Sequence, residues 1–186
     1  MRSVLIPLLL TAGLTSGPTG SQFRDVDGRE TRLFTPAGKG TVLVFVSTDC
    51  PISNTYAPEI QKLCARYRAD GIACVLVYED LKPGADDVRR HLAEYRYRDV
   101  QAVIDGDRTI ARRAGATITP QAVVIDPTGA IRYRGRIDNF YAALGKPRRR
   151  TTVHDLRDAL DAMLAGKPVP HPETEALGCY ISFARL

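Results

Sequence analysis

The sequence predicts an α/β fold in which helices flank a central mixed β-sheet, with an irregular tail at the C-terminus. Two apolar runs, Val42–Ser47 and Ile72–Tyr78, are rich in β-branched residues, as expected of strands covered on both faces. Helical patterns separate these runs from each other and from later strands, so the elements follow in the order β-α-β-α-β-α-β-β-α. Such alternation gives a parallel sheet, to which the closing hairpin adds antiparallel strands.

The first half of the chain begins with a turn and continues into a strand and a long helix. The segment Asp25-Val26-Asp27-Gly28 is typical of a hairpin turn. After the strand Val42–Ser47, apolar residues recur about every 3.6 positions from about Ser53 to Ala69, which predicts a helix. Pro58 predicts a kink or a restart within that helix, and Asp70-Gly71 predicts a left-handed cap at its end.

The second half supplies the remaining strands and helices. A charged amphipathic pattern predicts a helix over Ala85–Tyr95, directly after the strand Ile72–Tyr78. The turn Asp126-Pro127-Thr128-Gly129 predicts a hairpin between the strands Ala122–Ile125 and Ala130–Arg134. The other expected elements are a short strand, a short helix and a last helix, over Ala102–Ile104, Thr109–Ala114 and about Thr152–Leu164.

The length of 186 residues allows one domain with extensions, and 44% hydrophobic residues can build its core without a disulfide framework. Arg2, a short apolar run and a Gly/Ser/Pro-rich exit predict a secretory signal peptide over residues 1–21. We therefore expect a folded domain over residues 22–166 and a Pro-rich tail over residues 167–186. The mature protein is expected in the periplasm or the extracellular space, without stable membrane insertion.

The net charge of +5 does not indicate nucleic-acid binding. Basic runs such as Arg148-Arg149-Arg150 are not interleaved with aromatic residues, and 21 acidic residues are spread through the chain. The charge indicates a solvated basic surface with at most weak attraction to anionic partners.

Cys50 is the candidate reactive residue because it lies where a buried strand ends and a helix begins. Unpaired backbone N–H groups and the positive end of the helix dipole favour the thiolate there, which is the nucleophilic form. Asp49 beside it is expected to raise the thiol pKa and to oppose this effect. Cys64 and Cys74 match the apolar face of a helix and the interior of a strand, so we expect them to pack in the core. Cys179 lies in the tail, where a free thiol in an exported protein indicates a partner.

Four segments together resemble the thioredoxin-like superfamily, and most closely its alkyl hydroperoxide reductase/thiol-specific antioxidant, or redoxin, branch. They are the strand-Cys-Pro-helix unit Val42–Leu63, the loop Gly115–Pro120, the hairpin Gln121–Arg136 and the early turn Asp25–Gly28. They span about residues 23–164 in the family's order, so the resemblance implies a thioredoxin-like fold for residues 22–166. The string Ser47-Thr48-Asp49-Cys50-Pro51-Ile52-Ser53-Asn54, with a late Gly-Cys, is similar to an exported bacterial subgroup.

The resemblance implies a site built from Cys50 and the loop that ends at Pro120. Pro120 is expected to follow a cis peptide bond and to lie beside the Cys50 sulfur, which leaves main-chain groups of Thr119 free for an extended peptide. Ser53 stands where thioredoxins carry their second cysteine. Peroxiredoxins carry a Thr three residues before their cysteine, whereas Thr48 lies two residues before Cys50.

We accordingly expect an exported thiol–disulfide oxidoreductase. Cys50 would attack a disulfide, and Cys179 would resolve the mixed disulfide if the tail folds back over the site. The substrates would be protein or small-molecule disulfides, with an external thiol as reductant and with no cofactor or metal.

Two alternatives use the same fold. A peroxiredoxin-like thiol peroxidase would use the same two cysteines, with peroxide as substrate and an arginine from Arg132, Arg134 or Arg136 near the thiolate. The other alternative is a non-catalytic binding module, for instance a copper-handling protein. Cu(I) needs two thiolates or a thiolate with a histidine, which Cys50, Cys179 and His171 would supply. The other histidines, His91 and His154, are expected at helix surfaces or caps.

Overall fold

The computed structural model describes residues 23–80 and 84–183, so the predicted signal peptide lies outside the described residues. The described chain begins with a hairpin of two short strands, β1 (Phe23–Arg24) and β2 (Glu30–Thr31). Gly28 lies in the predicted turn between them with a φ of +80°, a conformation that glycine adopts without a steric penalty.

The central sheet has five strands, which are β3 (Gly40–Val46), β4 (Ile72–Tyr78), β5 (Gln101–Ile104), β7 (Gln121–Ile125) and β8 (Ile131–Gly135). Their order across the sheet is β5-β4-β3-β7-β8. Strands β3, β4 and β5 are parallel, whereas β7 and β8 pair in the antiparallel sense. The predicted mixed sheet is therefore confirmed.

Within the described residues, four helices cover this sheet, and they are α1 (Pro51–Arg68), α2 (Ala85–Glu94), α3 (Thr109–Ala114) and α4 (Asp155–Leu164). Helix α1 continues through Pro58, so no restart occurs there. Gly71 adopts a φ of +86° just beyond its end, as the predicted left-handed cap requires. Each predicted helix is present within a few residues of its expected bounds.

The strand β3 shows how the core is divided between the two faces of the sheet. Its residues Val42 and Val44 join a cluster that also contains buried residues of α1 and α4. Leu43 and Phe45 point to the opposite face, where they join a cluster with residues of α3. The alternation follows from the two-residue period of a strand, and it explains why the run is apolar throughout.

Cys64 and Cys74 form a disulfide that links α1 to β4, with their Cα atoms 5.5 Å apart. Both cysteines pack with the core as expected, but the bond between them was not predicted. It forms because the tight turn after α1 brings the end of the helix back over the strand that follows it. Closing a loop of this length stabilises a protein by about 2–3 kcal/mol in the chain-entropy account.

The C-terminal tail is more ordered than the irregular segment that the sequence predicts. Its residues Cys179–Tyr180 form a strand, β11, which pairs antiparallel with the short strand β6 (Ile118–Thr119). Further upstream, the tail is hydrogen-bonded to β8, since Arg134 N–H donates to Pro172 O at 2.9 Å. The tail thereby forms hydrogen bonds with main-chain groups of β6 that would otherwise lie unpaired at a strand edge.

The remaining two strands, β9 (Tyr141–Ala143) and β10 (Lys146–Pro147), form a small hairpin before α4. Across the described part of the chain, no helix combines the length and the apolar character that a membrane crossing requires.

Candidate thiol site

Cys50 is the residue that caps the N-terminus of α1. Its sulfur accepts a hydrogen bond from the Ser53 N–H at 3.5 Å, as expected of a side chain facing the unpaired donors of a first helical turn. The residue is only 1% exposed, because the tail lies over it. The strand-to-helix position predicted for Cys50 is confirmed, although its burial was not expected.

Cys179 lies directly against Cys50, although 129 positions separate the two in the sequence. Their sulfur atoms are 2.6 Å apart, which is longer than the S–S bond of about 2.05 Å and well within van der Waals contact. Both are free cysteines. We call Cys50 and Cys179 the thiol pair.

The loop from Thr117 to Pro120 holds the thiol pair from the other side. The Thr119 carbonyl oxygen lies 3.1 Å from the Cys50 sulfur and accepts from its S–H, and the Thr119–Pro120 peptide bond is cis. In the β6–β11 pairing, Cys179 lies opposite Thr119, and Ile181 N–H donates to Thr117 O at 2.9 Å. The main-chain groups expected to be free for a substrate are therefore occupied by the protein's own tail.

The two thiols have opposite pKa shifts. Burial of Cys50 raises the pKa of its thiol, but hydrogen bonds from Cys179 and Ser53 favour the thiolate and leave the pKa below its ordinary value. Burial and the neighbouring Cys50 sulfur raise the pKa of Cys179 to about 12. The directions of these shifts make Cys50 the more acidic of the two thiols, with the Cys179 S–H donating to its sulfur.

The first testable prediction concerns the ionisation of Cys50. The thiolate absorbance at 240 nm of the reduced protein should rise with a midpoint below the usual thiol value of about 8.5, because the lowered pKa lets the proton leave at lower pH. Cys179→Ala should move the midpoint upward, since it removes a hydrogen-bond donor to the thiolate. The step is identified by its absence in Cys50→Ser, and a midpoint at or above 8.5 would contradict the assignment.

Asp80 fixes the loop that leads into Cys50. Its carboxylate accepts from Ser47 Oγ at 2.7 Å and from the N–H and Oγ1 of Thr48 at 2.9 Å. The Thr48 hydroxyl, a predicted site residue, is thereby directed to Asp80. Sequence reasoning missed Asp80. Its position just after β4 could have identified it, because the parallel strands β3 and β4 end at the same edge of the sheet.

His91 supports the same loop from helix α2. It is buried, which corrects the expected position on a helix surface or cap. Asn54 donates through Nδ2 to Thr48 O at 2.9 Å, so its Oδ1 faces His91 Nε2, also at 2.9 Å. His91 Nε2 must then carry the proton, and Nδ1 accepts from Tyr78 OH at 2.9 Å. Burial also lowers the pKa of His91, in agreement with a neutral ring.

The arginines proposed to approach the thiolate are engaged elsewhere. Arg132, Arg134 and Arg136 form ion pairs with Asp126, Glu173 and Asp155, respectively. His171 is exposed in the tail, and within residues 23–80 and 84–183 no three His, Cys, Asp or Glu side chains are grouped to hold a metal. The candidate site therefore consists of the thiol pair and of hydrogen-bonding groups that include the Asp80 carboxylate.

Comparison with known families and folds agrees with this geometry. The profile of the AhpC/TSA family matches residues 18–134, which is more than half of the chain. No curated protein matches the chain.

Solved structures of similar fold cover between 79% and 94% of the chain. An uncharacterized conserved protein from Geobacillus kaustophilus is 25% identical with a TM-score of 0.76, covering 91% of this chain and 94% of its own. A hypothetical protein from Sinorhizobium meliloti 1021 is 23% identical with a TM-score of 0.74, covering 94% and 98%. A secreted Mycobacterium tuberculosis disulfide oxidoreductase homologous to E. coli DsbE is 17% identical with a TM-score of 0.53, covering 79% and 96%. The chain thus has the thioredoxin-like fold that its sequence predicts.

Proposed function

The chain belongs to the AhpC/TSA family, and from its thiol pair we propose that it is a thiol–disulfide oxidoreductase. The observation that carries the proposal is the 2.6 Å separation of the Cys50 and Cys179 sulfur atoms, in a site that favours ionisation of Cys50. Cys50 would be the nucleophile and Cys179 the resolving thiol. Thr119 and Pro120 would form the wall against which the reacting sulfur lies, and Thr48 would position the loop before Cys50.

The reaction consists of two exchanges. The Cys50 thiolate attacks a substrate disulfide, forms a Cys50–substrate disulfide and releases one substrate thiolate, which takes up a proton. Cys179 then loses its proton and attacks the Cys50 sulfur, which releases the second substrate thiol and leaves a Cys50–Cys179 disulfide. The substrate gains two electrons and the thiol pair loses them, and an external thiol reductant returns the pair to its reduced state.

The surroundings of Cys50 favour disulfide exchange over peroxide reduction. A peroxide site needs donors that polarise the O–O bond, and Thr48 and the three arginines of the β8 region are bonded elsewhere. The mixed-disulfide chemistry needs only a thiolate and a second thiol within reach, and both are present.

Export of the protein is part of the same proposal. The Cys64–Cys74 disulfide is of a kind that persists in oxidising compartments, and one structural neighbour is described as secreted. We therefore propose a signal peptide over residues 1–21, a redoxin domain over 22–166 and a tail over 167–186 that carries Cys179. The partners would be protein or small-molecule disulfides and an external reductant in the periplasm or outside the cell.

Thiol mapping of the oxidised protein tests this function. We expect mild oxidation to lower the mass by 2 Da through a Cys50–Cys179 bond, also in a Cys64→Ala/Cys74→Ala variant that contains no other thiols. The oxidised form should regain both thiols with dithiothreitol, and the wild-type protein should accelerate insulin reduction by dithiothreitol. Two free thiols after oxidation, together with no acceleration, would overturn the proposal.

A further inference from the structure

A cleft of about 710 Å³ opens beside the thiol pair. One wall is the loop before Cys50, a second is the end of β4, a third is helix α2, and the tail residues Tyr180 and Ser182 complete it. Asp49 precedes Cys50 directly and Tyr180 follows Cys179 directly, and consecutive Cα atoms are about 3.8 Å apart. The cleft is therefore lined by the chain neighbours of both thiols.

The cleft is acidic although the chain as a whole is basic. Its described lining residues include Asp49, Asp80, Asp87 and Glu94, while Arg90 is the one cation among them and is paired with Asp87 at 2.6 Å. The net charge of the whole chain is +5, so this concentration of carboxylates is a local feature. We refer to it as the acidic cleft.

Glu79 adds a buried carboxyl group to the wall of the cleft. Its side chain is 1% exposed, and within residues 23–80 and 84–183 no hydrogen bond of ordinary geometry reaches either carboxyl oxygen. Arg108 Nε lies 3.4 Å from Oε2, but that guanidinium donates instead to the carbonyl oxygens of Asp80, Asp105 and Ser182. Both oxygens therefore retain lone pairs at the wall of the cleft, which can accept hydrogen bonds from a donor group bound there.

The protonation of Glu79 does not remove the negative charge of the cleft. Burial and the neighbouring Asp105 raise the pKa of Glu79 to about 9, so the group holds a proton near neutral pH. Among the described lining residues, four other carboxylates remain beside the Arg90 guanidinium, while Arg108 lies 3.4 Å from Glu79. Opposite charges are attracted more strongly in a partly enclosed cleft than on an open surface, because less water screens them.

We infer that the acidic cleft binds a cationic group of the disulfide substrate, an ammonium or guanidinium close to the sulfur that Cys50 attacks. This inference rests on the proposed function and specifies its substrate class. Disulfides with a flanking amine, including those next to Lys or Arg in a peptide, would be reduced in preference to neutral or anionic ones.

Three small disulfides of similar size test the inference, namely cystamine, bis(2-hydroxyethyl) disulfide and 3,3′-dithiodipropionate. Each kcat/KM is divided by the rate of the same disulfide with dithiothreitol, because the leaving thiol alters intrinsic reactivity. We expect a normalised preference for cystamine over the neutral disulfide of at least about tenfold at low ionic strength, falling at high salt. Equal normalised rates, or a preference for the anionic disulfide, would overturn the inference.

Two variants with the same charge change separate the cleft from the general surface. Glu94→Lys should reduce the preference for cystamine at least about threefold, because it reverses one charge in the cleft. Glu30 lies outside the cleft lining, so Glu30→Lys should leave the preference for cystamine unchanged. Equal effects of both variants would contradict a local site.

A binding measurement separates this inference from the proposed function. Calorimetry with 1,6-diaminohexane, which has the length of cystamine but no disulfide, should detect binding that 1,6-hexanediol does not show and that Glu94→Lys weakens. Absence of diamine binding would overturn the inference even if disulfides are reduced. Diamine binding without reduction of any disulfide would support the cationic site and overturn the exchange chemistry.

Discussion

A Cys179→Ser variant is expected to stall as a mixed disulfide between Cys50 and its substrate, whereas a Cys50→Ser variant is expected to form none. The reason is the order of the two exchanges: Cys50 forms the first bond, and Cys179 lies 2.6 Å away to break it. Serine can perform neither step, because its hydroxyl is not ionised near neutral pH.

Turnover should fall by at least about 10³-fold in the Cys50→Ser variant, which has lost its nucleophile. In the Cys179→Ser variant, release of the substrate from Cys50 should become dependent on the external thiol, and intact-mass analysis should show one substrate moiety bound through Cys50. The Cys64→Ala/Cys74→Ala variant is the matched control, because it removes two cysteines outside the site. If Cys179→Ser turns over at the wild-type rate and no adduct accumulates, Cys179 has no resolving role.

A Gly178→Ala variant is expected to release the tail from Cys50. A Cβ atom at position 178 would lie 2.0 Å from the Thr119 carbonyl oxygen and 2.7 Å from its carbon, so either the tail or the loop must move. Both of these atoms belong to backbone that pairs with β11, and no flexible side chain can relieve the contact. Overpacking of this kind costs about 1–3 kcal/mol, which is about 5- to 150-fold in the population of the open tail.

Alkylation measures the release, since Cys50 is 1% exposed while the tail is in place. Iodoacetamide should modify Cys50 of the reduced Gly178→Ala variant at least about fivefold faster than in the wild type, as followed by peptide mapping. Gly106→Ala is a suitable control, because a Cβ at position 106 meets nothing within 4 Å. Unchanged labelling in Gly178→Ala would mean that the tail does not control access to Cys50.

The sequence predicted those parts of the fold that depend on local patterns. The position of Cys50 at the start of a helix was readable because the apolar strand, the short polar turn and the following Pro51 are adjacent in the sequence. The long strands and helices were readable for the same reason, since their periodicity is a property of consecutive residues.

The missed features depend on contacts between distant residues. The pairing of β11 with β6 joins residues about 60 positions apart, and nothing in the tail pattern specifies that edge. The burial of His91 depends on Tyr78 and Asn54, which reach it from a strand and another helix. Prediction of the Cys64–Cys74 bond would have required the path of the turn after α1, because each cysteine alone matches an ordinary core position.

The attachment of Cys179 to the domain also determines which thiols compete at the second exchange. A thiol held beside Cys50 by its own chain acts as if present at a very high effective concentration, which for well-oriented intramolecular reactions reaches about 10⁵ M or more. Free thiols in the surroundings reach only millimolar levels, so they would intercept few of the intermediates. The lifetime of the enzyme–substrate disulfide should then be independent of the thiol content of the medium. That content would affect only the later reduction of the Cys50–Cys179 disulfide.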